Sequence, residues 1–170
     1  MSTPTPPPES DLDVFVKLSA ALTGIDAAKL NPRFDPYDLA TTYSNLARTQ
    51  DGKNGETYAQ LLALYRANES KPPDDIAKIV LSHAPVKFLA QSVMLLWLLA
   101  AWFDPLVLAD PSTKTAPFGP PNVVVSADAY TQSFVWKVAQ THPMGYSEWS
   151  FGYWTQNPPP LSAFIGGSTS

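Results

Sequence analysis

His83 and His142 are the only imidazoles in this 170-residue chain. Zinc held by protein alone asks for ligands three or four residues apart on one helix face, or for an H-E-x-x-H run. Neither histidine has such a neighbour, so no metal site is expected. Cysteine is absent, which excludes thiolate zinc, iron–sulfur clusters, c-type haem attachment, disulfides and cysteine nucleophiles. The serines include no G-x-S-x-G elbow on which a hydrolase triad could be built. Asp74 and Asp75 stand side by side and point to different sides of a helix start, where capping the dipole explains them better than acid–base work. Gly145 and Gly152 lie among aromatics with no preceding strand, so neither a dinucleotide fingerprint nor a P-loop is present. Asn68-Glu69-Ser70 fits the glycosylation sequon, a short and weakly specific match. No catalytic, cofactor-binding or metal-ligating residue is expected in the chain.

One stretch is chemically distinctive in another way. Tyr146, Trp149, Phe151, Tyr153 and Trp154 place five aromatics within nine residues. Each ring can bury on the order of 150–250 Å², and five exceed what a small bundle usually leaves open. These rings either complete the core of their own domain or anchor a partner, since tryptophan and tyrosine dominate interface hot spots. With His142, Pro143 and Met144 they form the candidate partner-facing set. An alternative is a stand-alone binding module in which the rings line a small-ligand pocket, with Ser147, Glu148, Thr155, Gln156 and Asn157 as polar groups. His142 precedes a proline and is held extended; it either bonds local backbone or contacts the partner. His83 is expected at a helix end, facing the last-turn carbonyls.

The elements that position these residues are mostly helical. Residues 1–10, rich in proline and threonine, read as a disordered tail. Ser10 and Asp13 resemble a capping box, and Leu12, Phe15, Val16, Ser19 and Leu22 keep helical spacing up to Gly24, predicting a helix over 11–22. Asp35 before Pro36 predicts a second over 36–49, and Tyr58, Leu61, Leu62 and Tyr65 a third over 56–68. Pro72 and Pro73 reset the chain before a short helix through Ile76, Ile79 and Val80. Pro85 opens a long apolar helix over 86–103, buried on all sides and stopped by Asp104 and Pro105. Residues 104–125, with five prolines, read as an extended connection with at most a short strand at 123–125. Ser126 or Asp128 caps a last helix over 127–140, and no helical period follows Thr141. The predicted architecture is an all-α bundle of five or six helices in one domain over 11–160. Extended proline-rich and aromatic loops and a C-terminal arm accompany it, and 161–170 form a flexible tail.

Eleven basic against fifteen acidic residues give a net charge of −4, which argues against nucleic acid or an anionic membrane face as partner. Charged residues are 15% of the chain, well under the usual quarter or so, as expected where another protein covers part of the surface. The longest apolar run, 93–103, is too short to span a bilayer, which takes about 20 residues. The first ten residues carry no lysine, arginine or apolar run, and no two arginines are adjacent, so neither a secretory nor a twin-arginine signal is read.

Phe15-Val16-Lys17-Leu18-Ser19 followed by Leu22-Thr23-Gly24 is similar to the F-x-x-L-S-x-x-L-T-G opening of one family. These are the small subunits of bacterial FAD-dependent sugar and polyol dehydrogenases, the sorbitol, fructose and glucose dehydrogenase group. Leu99-Ala100-Ala101-Trp102-Phe103 resembles the family's A-W-Y ending of a long helix. Residues 130–136 resemble its Y-x-x-A-L-M-W segment, and Tyr153-Trp154 its closing Y-W before a proline. His142-Pro143-Met144-Gly145-Tyr146 looks like the version in one branch. The matches keep family order from 15 to 160. The resemblance implies a non-catalytic subunit that binds and helps mature a large FAD-containing flavoprotein of the glucose–methanol–choline type, which holds the flavin and the catalytic base. A multihaem cytochrome c subunit joins many such complexes. Family members typically carry a twin-arginine signal, so the resemblance implies a periplasmic complex where that signal has been removed and a cytoplasmic one otherwise. The sequence departs from the pattern in lacking that signal, and in having Asp104 and Pro105 where a glycine turn is common.

Overall fold

The computed structural model describes residues 9–110, 112, 122–143, 155–157 and 159–166. Ser10 starts the first helix: its hydroxyl oxygen accepts from the Asp13 amide at 3.1 Å and its hydroxyl donates to the Asp13 carboxylate at 2.6 Å. That helix, α1 (Asp11–Thr23), ends where Gly24 takes the left-handed conformation (φ 72°) and returns its N–H to the Ala20 carbonyl, a cap that costs glycine nothing. α1 is the hub. Val14, Phe15, Val16, Leu18, Ser19 and Leu22 are all buried, and the helix packs against α2 (Ala27–Leu30), α3 (Leu39–Thr49), α4 (Glu56–Arg66), α5 (Pro73–Ser82) and α6 (Lys87–Leu99).

Aromatic rings bind these helices together. Trp97 of α6 meets Tyr43 of α3 edge-on at 4.7 Å and Phe15 of α1 at 6.4 Å, and Phe15 in turn meets Tyr58 of α4 at 6.1 Å. Such tilted pairs contribute about 0.5–1.5 kcal/mol each beyond area burial. The Tyr58 and Ser44 hydroxyls bond at 2.6 Å. Burial pushes the hydroxyls of Tyr43 and Tyr58 above the ordinary tyrosine range, so both are neutral. Among the described residues Ser19 Oγ and Trp97 Nε1 are buried without a hydrogen-bond partner, so the core is held by ring packing rather than by polar bonds at its centre.

The chain is predominantly helical, an all-α fold with one two-stranded ribbon. Several boundaries differ from expectation. α3 starts at Leu39 rather than at 36, because the Asp35 carboxylate accepts from the amides of both Tyr37 and Leu39 and wraps 36–38 into a turn. The long helix stops at Leu99, and residues 101–103 become the strand β1 (Ala101–Phe103). α6 is not buried all round: Leu89, Ala90, Ser92, Val93, Leu96 and Trp97 face the core, while Phe88, Met94, Leu95, Leu98 and Leu99 are half-buried. Among the described residues it also packs against β1, a short helix α7 (Pro105–Ala109) and other short elements. β2 (Asn122–Val124) pairs antiparallel with β1, Ala101 opposite Val124, Trp102 opposite Val123 and Phe103 opposite Asn122. The last predicted helix is two, α8 (Ala127–Gln132) and α9 (Phe134–Val138), broken at Ser133 where the backbone is extended. Within the expected tail, 161–165 form α10 (Leu161–Ile165). It is fixed where the Ile165 carbonyl accepts the Asp26 amide at 2.7 Å, and a Cβ at Gly166 would come within 2.5 Å of Asp26 Cβ.

Asp51 organises the turn between α3 and α4. Its buried carboxylate accepts from the amides of Lys53 (2.8 Å), Gly55 (2.9 Å) and Tyr58 (3.1 Å). Burial raises its pKa, but the amides of Gly55, Lys53, Tyr58 and Thr57 lower it further, and the net shift is below the usual carboxylate range. A depressed folded-state pKa contributes stability that is complete above the unfolded value of about 3.9 and is lost as pH falls through the folded value. Asp51→Ala is expected to destabilise the fold by about 2–3 kcal/mol at pH 7, since the amides lose a charged acceptor. Denaturant titrations of both proteins should show the gap closing below about pH 4; an equal gap at pH 3 and pH 7 refutes this role.

Candidate partner-binding surface

The surface formed by residues 100–110 and 122–143 begins at Ala100. It is buried and left-handed (φ 52°, ψ 32°), with its N–H on the Leu96 carbonyl, and it turns the chain back along α6 as β1. Buried Ser92 secures the return, its hydroxyl lying 2.6 Å from the Phe103 carbonyl oxygen and 3.0 Å from that of Phe88. Asp104 then caps α7 through the Leu106 amide at 2.8 Å, with Pro105 at the first helical position. Asp104 and Pro105 therefore do not stop α6, which already ends at Leu99; they follow β1 and start a new helix in what was expected to be an extended connection. Within that connection the short strand does form, at 122–124 rather than 123–125. Ser126 caps α8 by accepting from the Ala129 amide at 3.0 Å.

Trp136 locks the next step. Its indole N–H donates to the Tyr130 carbonyl at 2.8 Å, and the two rings meet edge-to-face at 5.2 Å. Lys137 Nζ lies 4.9 Å from the centroid of the Phe134 ring, and the Thr141 amide returns to the Trp136 carbonyl at 2.8 Å. Of the candidate set, the described residues are His142 and Pro143. His142 Nδ1 lies 2.9 Å from the Pro143 carbonyl oxygen and donates to it, so the ring bonds local backbone, one of the two roles expected of it; Pro143 is buried. Met144, Tyr146, Trp149, Phe151, Tyr153 and Trp154 lie outside the described residues. The chain that leaves at Thr141 is back beside α9 by Pro159, whose carbonyl accepts from Gln140 Nε2 at 3.0 Å. His83 is exposed and stands at the helix end its sequence position predicts, as the C-cap of α5 with its backbone amide on the Val80 carbonyl.

Sequence reading missed the apolar side chains left in solvent. Leu106 on α7 is 63% exposed, Val123 and Val124 on β2 are 60% and 49%, and Val138 on α9 is 45%. All four belong to elements laid around α6 and the ribbon. Phe34, 89% exposed, stands apart on the loop before α3; its only sequence signal is a lone aromatic between Pro32 and Pro36. A groove of about 410 Å³ between α1, α4 and α5 has Ile25, Tyr65 and Ile76 as its floor. Lys17, Lys71, Asp26 and Glu69 edge it without net charge. Among the described residues no three carboxylates or histidines gather to hold a metal, and no helix is long and apolar enough to cross a membrane. No protein-family model, curated protein or solved structure matches the chain.

Ser92→Ala removes the hydroxyl that holds the β1 return and leaves the Phe103 carbonyl unpaired. It is expected to cost about 1–3 kcal/mol, read as a lower midpoint in thermal unfolding followed by tryptophan fluorescence. An unchanged midpoint shows that the ribbon is held without it.

Proposed function

We propose that this chain is a non-catalytic small subunit that binds, stabilises and helps mature a large FAD-containing dehydrogenase acting on sugars, polyols or alcohols. The flavin and the reacting groups belong to the large subunit, and no residue of this chain is assigned to them. The observation that carries the reading is a convergence. Residues 99–103 and 130–136, the two internal segments that resemble the small-subunit family, are far apart in sequence yet meet around α6, which contacts both β1 and α9. The solvent-facing apolar residues Leu106, Val123, Val124 and Val138 sit on the same group of elements. Obligate interfaces resemble a domain core cut in half, and isolated aliphatic side chains next to a sparsely charged surface suit that kind of contact. The aromatic residues between Gln140 and Pro159 in the sequence are of the types that anchor interfaces.

Co-expression tests the partnership. With its flavoprotein the chain is expected to purify as a yellow complex carrying flavin absorbance, and alone to be poorly soluble. A well-behaved monomer that ignores the flavoprotein overturns the reading, and one that binds a sugar unaided favours the ligand-pocket alternative. Replacing Trp149 and Trp154 together by alanine should weaken the complex about tenfold or more while leaving the far-ultraviolet circular dichroism unchanged. Wild-type affinity in the double variant removes these rings from the interface.

A further inference from the structure

Glu9 brings the chain into α1 along the groove between α1, α4 and α5. It precedes the Ser10 cap, yet its carboxylate pairs at 2.5 Å with Lys17, about two turns further along the helix and on the groove edge. An exposed pair of this kind adds little stability, but it fixes the side from which the chain reaches α1. The α1 wall of the groove is built of small residues, Ala20, Ala21, Gly24 and Ala27, and Pro73 stands exposed among the other lining residues. A Cβ at Gly24 would meet nothing within 4 Å, so an incoming backbone has room there. Burial pushes the Tyr65 hydroxyl on the floor above the ordinary tyrosine range, with Lys17 opposing and the Glu9 and Glu69 carboxylates adding to the rise. The hydroxyl is therefore a donor at neutral pH, and among the described residues it has no hydrogen-bond partner.

Residues 1–8 match this groove in charge, chemistry and length. They are methionine, serine, threonine and proline, without a charged side chain, and include Pro4, Pro6, Pro7 and Pro8; the groove rim has no net charge either. Polyproline geometry leaves carbonyls without internal bonds, and the Tyr65 hydroxyl is a donor for one of them. Residues 4–8 in that geometry span about 12 Å, and α1 rises about 10 Å from Lys17 to Gly24. We propose that the groove is a binding site for a polyproline-type segment and that its occupant is this chain's own residues 1–8, folded back along α1 from Glu9. Glu9 holds that segment at the groove at an effective concentration on the order of millimolar, which a second copy in dilute solution does not reach. Residues 167–170 also start nearby, since Gly166 stands against Asp26 at the far end of the groove. They are glycine, serine, threonine and serine, and bring neither ring nor aliphatic side chain to an apolar floor. The inference stands apart from the partnership proposed above.

Because the chain has no cysteine, an engineered pair supplies its only thiols, and a disulfide needs Cα atoms within about 7 Å. In the full chain, Thr3→Cys with Ala27→Cys, at the far end of the groove, is compared with Thr3→Cys with Ala67→Cys. Ala67 is exposed at the end of α4, next to the Arg66 that pairs with Asp11, and does not line the groove. Under mild oxidation followed on non-reducing gels, the T3C–A27C bond should form about tenfold or more faster than T3C–A67C, although Ala67 is the more exposed of the two. Serine in place of Pro4, Pro6, Pro7 and Pro8 should bring the two rates within about threefold. Thr5→Cys with Ala21→Cys is the second pair should A27C fail to fold. Equal rates in the proline-containing chain overturn the docking, and a preference that survives the serine replacements overturns the polyproline reading. Bonds that join only separate chains give the groove to a second copy and overturn the assignment. Equal rates, with A27C shielded from a maleimide reagent only when the flavoprotein is present, give the groove to that partner and overturn it likewise.

Discussion

The reversal at Ala100 is the constraint on which the second half of the molecule depends. An L-residue with a side chain in the left-handed region costs about 1–2 kcal/mol, and here that residue is alanine, fully buried at the end of the most apolar helix. The conformation persists because its surroundings hold it. The Ala100 amide caps Leu96, its carbonyl takes the Val125 amide, and Ser92 holds the Phe103 carbonyl. Each hydrogen bond contributes about 1 kcal/mol net, and the turn also folds Ala101 and Trp102 into the core. Together these exceed the strain. Without the turn α6 would run on, β1 would not exist, and β2 would lose the strand with which it pairs.

Much of the first half of the fold is legible in the sequence because its signals are local. Ser10, Asp13 and Gly24 define α1 within a residue or so, and proline followed by acidic residues marks the start of α5. These devices act on amides two to four residues away, so neighbouring letters carry them. The second half resists for the opposite reason. The run 93–103 is uniformly apolar, and composition alone does not distinguish a helix that continues from one that doubles back through a left-handed alanine. The deciding bonds come from Ser92 and Val125, eleven and twenty-five residues from the atoms they meet. α2, α7 and α10, each under six residues, are too short to establish a period. Ser133 shows the same limit: a serine inside a helical pattern reads as tolerated, yet the extended backbone there splits α8 from α9.

The candidate surface divides along a similar line. Clustered aromatics announce themselves by type, and His142 before Pro143 is the dipeptide for which an extended backbone is expected. Leu106, Val123, Val124 and Val138 announce nothing, since a leucine or valine in a sequence reads as core until the fold leaves it outside. Their exposure follows from the order of layers. α6 spends its core-facing side on α1 and α3, and β1, α7 and α9 cover its other side. These short elements bury their inner residues, Trp102, Pro105 and Phe134, while their outer residues Leu106, Val123, Val124 and Val138 stay exposed.

An outer layer of apolar residues on short elements is tolerable in a lone chain only within limits, and the ribbon illustrates how those limits are met. A long, flat, apolar edge would pair with any copy it encountered. Three residues between a connection containing five prolines and the cap of α8 give too little ladder to propagate, and an isolated two-stranded ribbon has marginal stability of its own. Its hold on the protein comes from β1, which comes from Ala100. Brevity thus protects the edge from indiscriminate pairing without burying or charging it. The same brevity leaves the strand by itself with too little surface for a stable complex, which takes roughly 1,200 Å² or more.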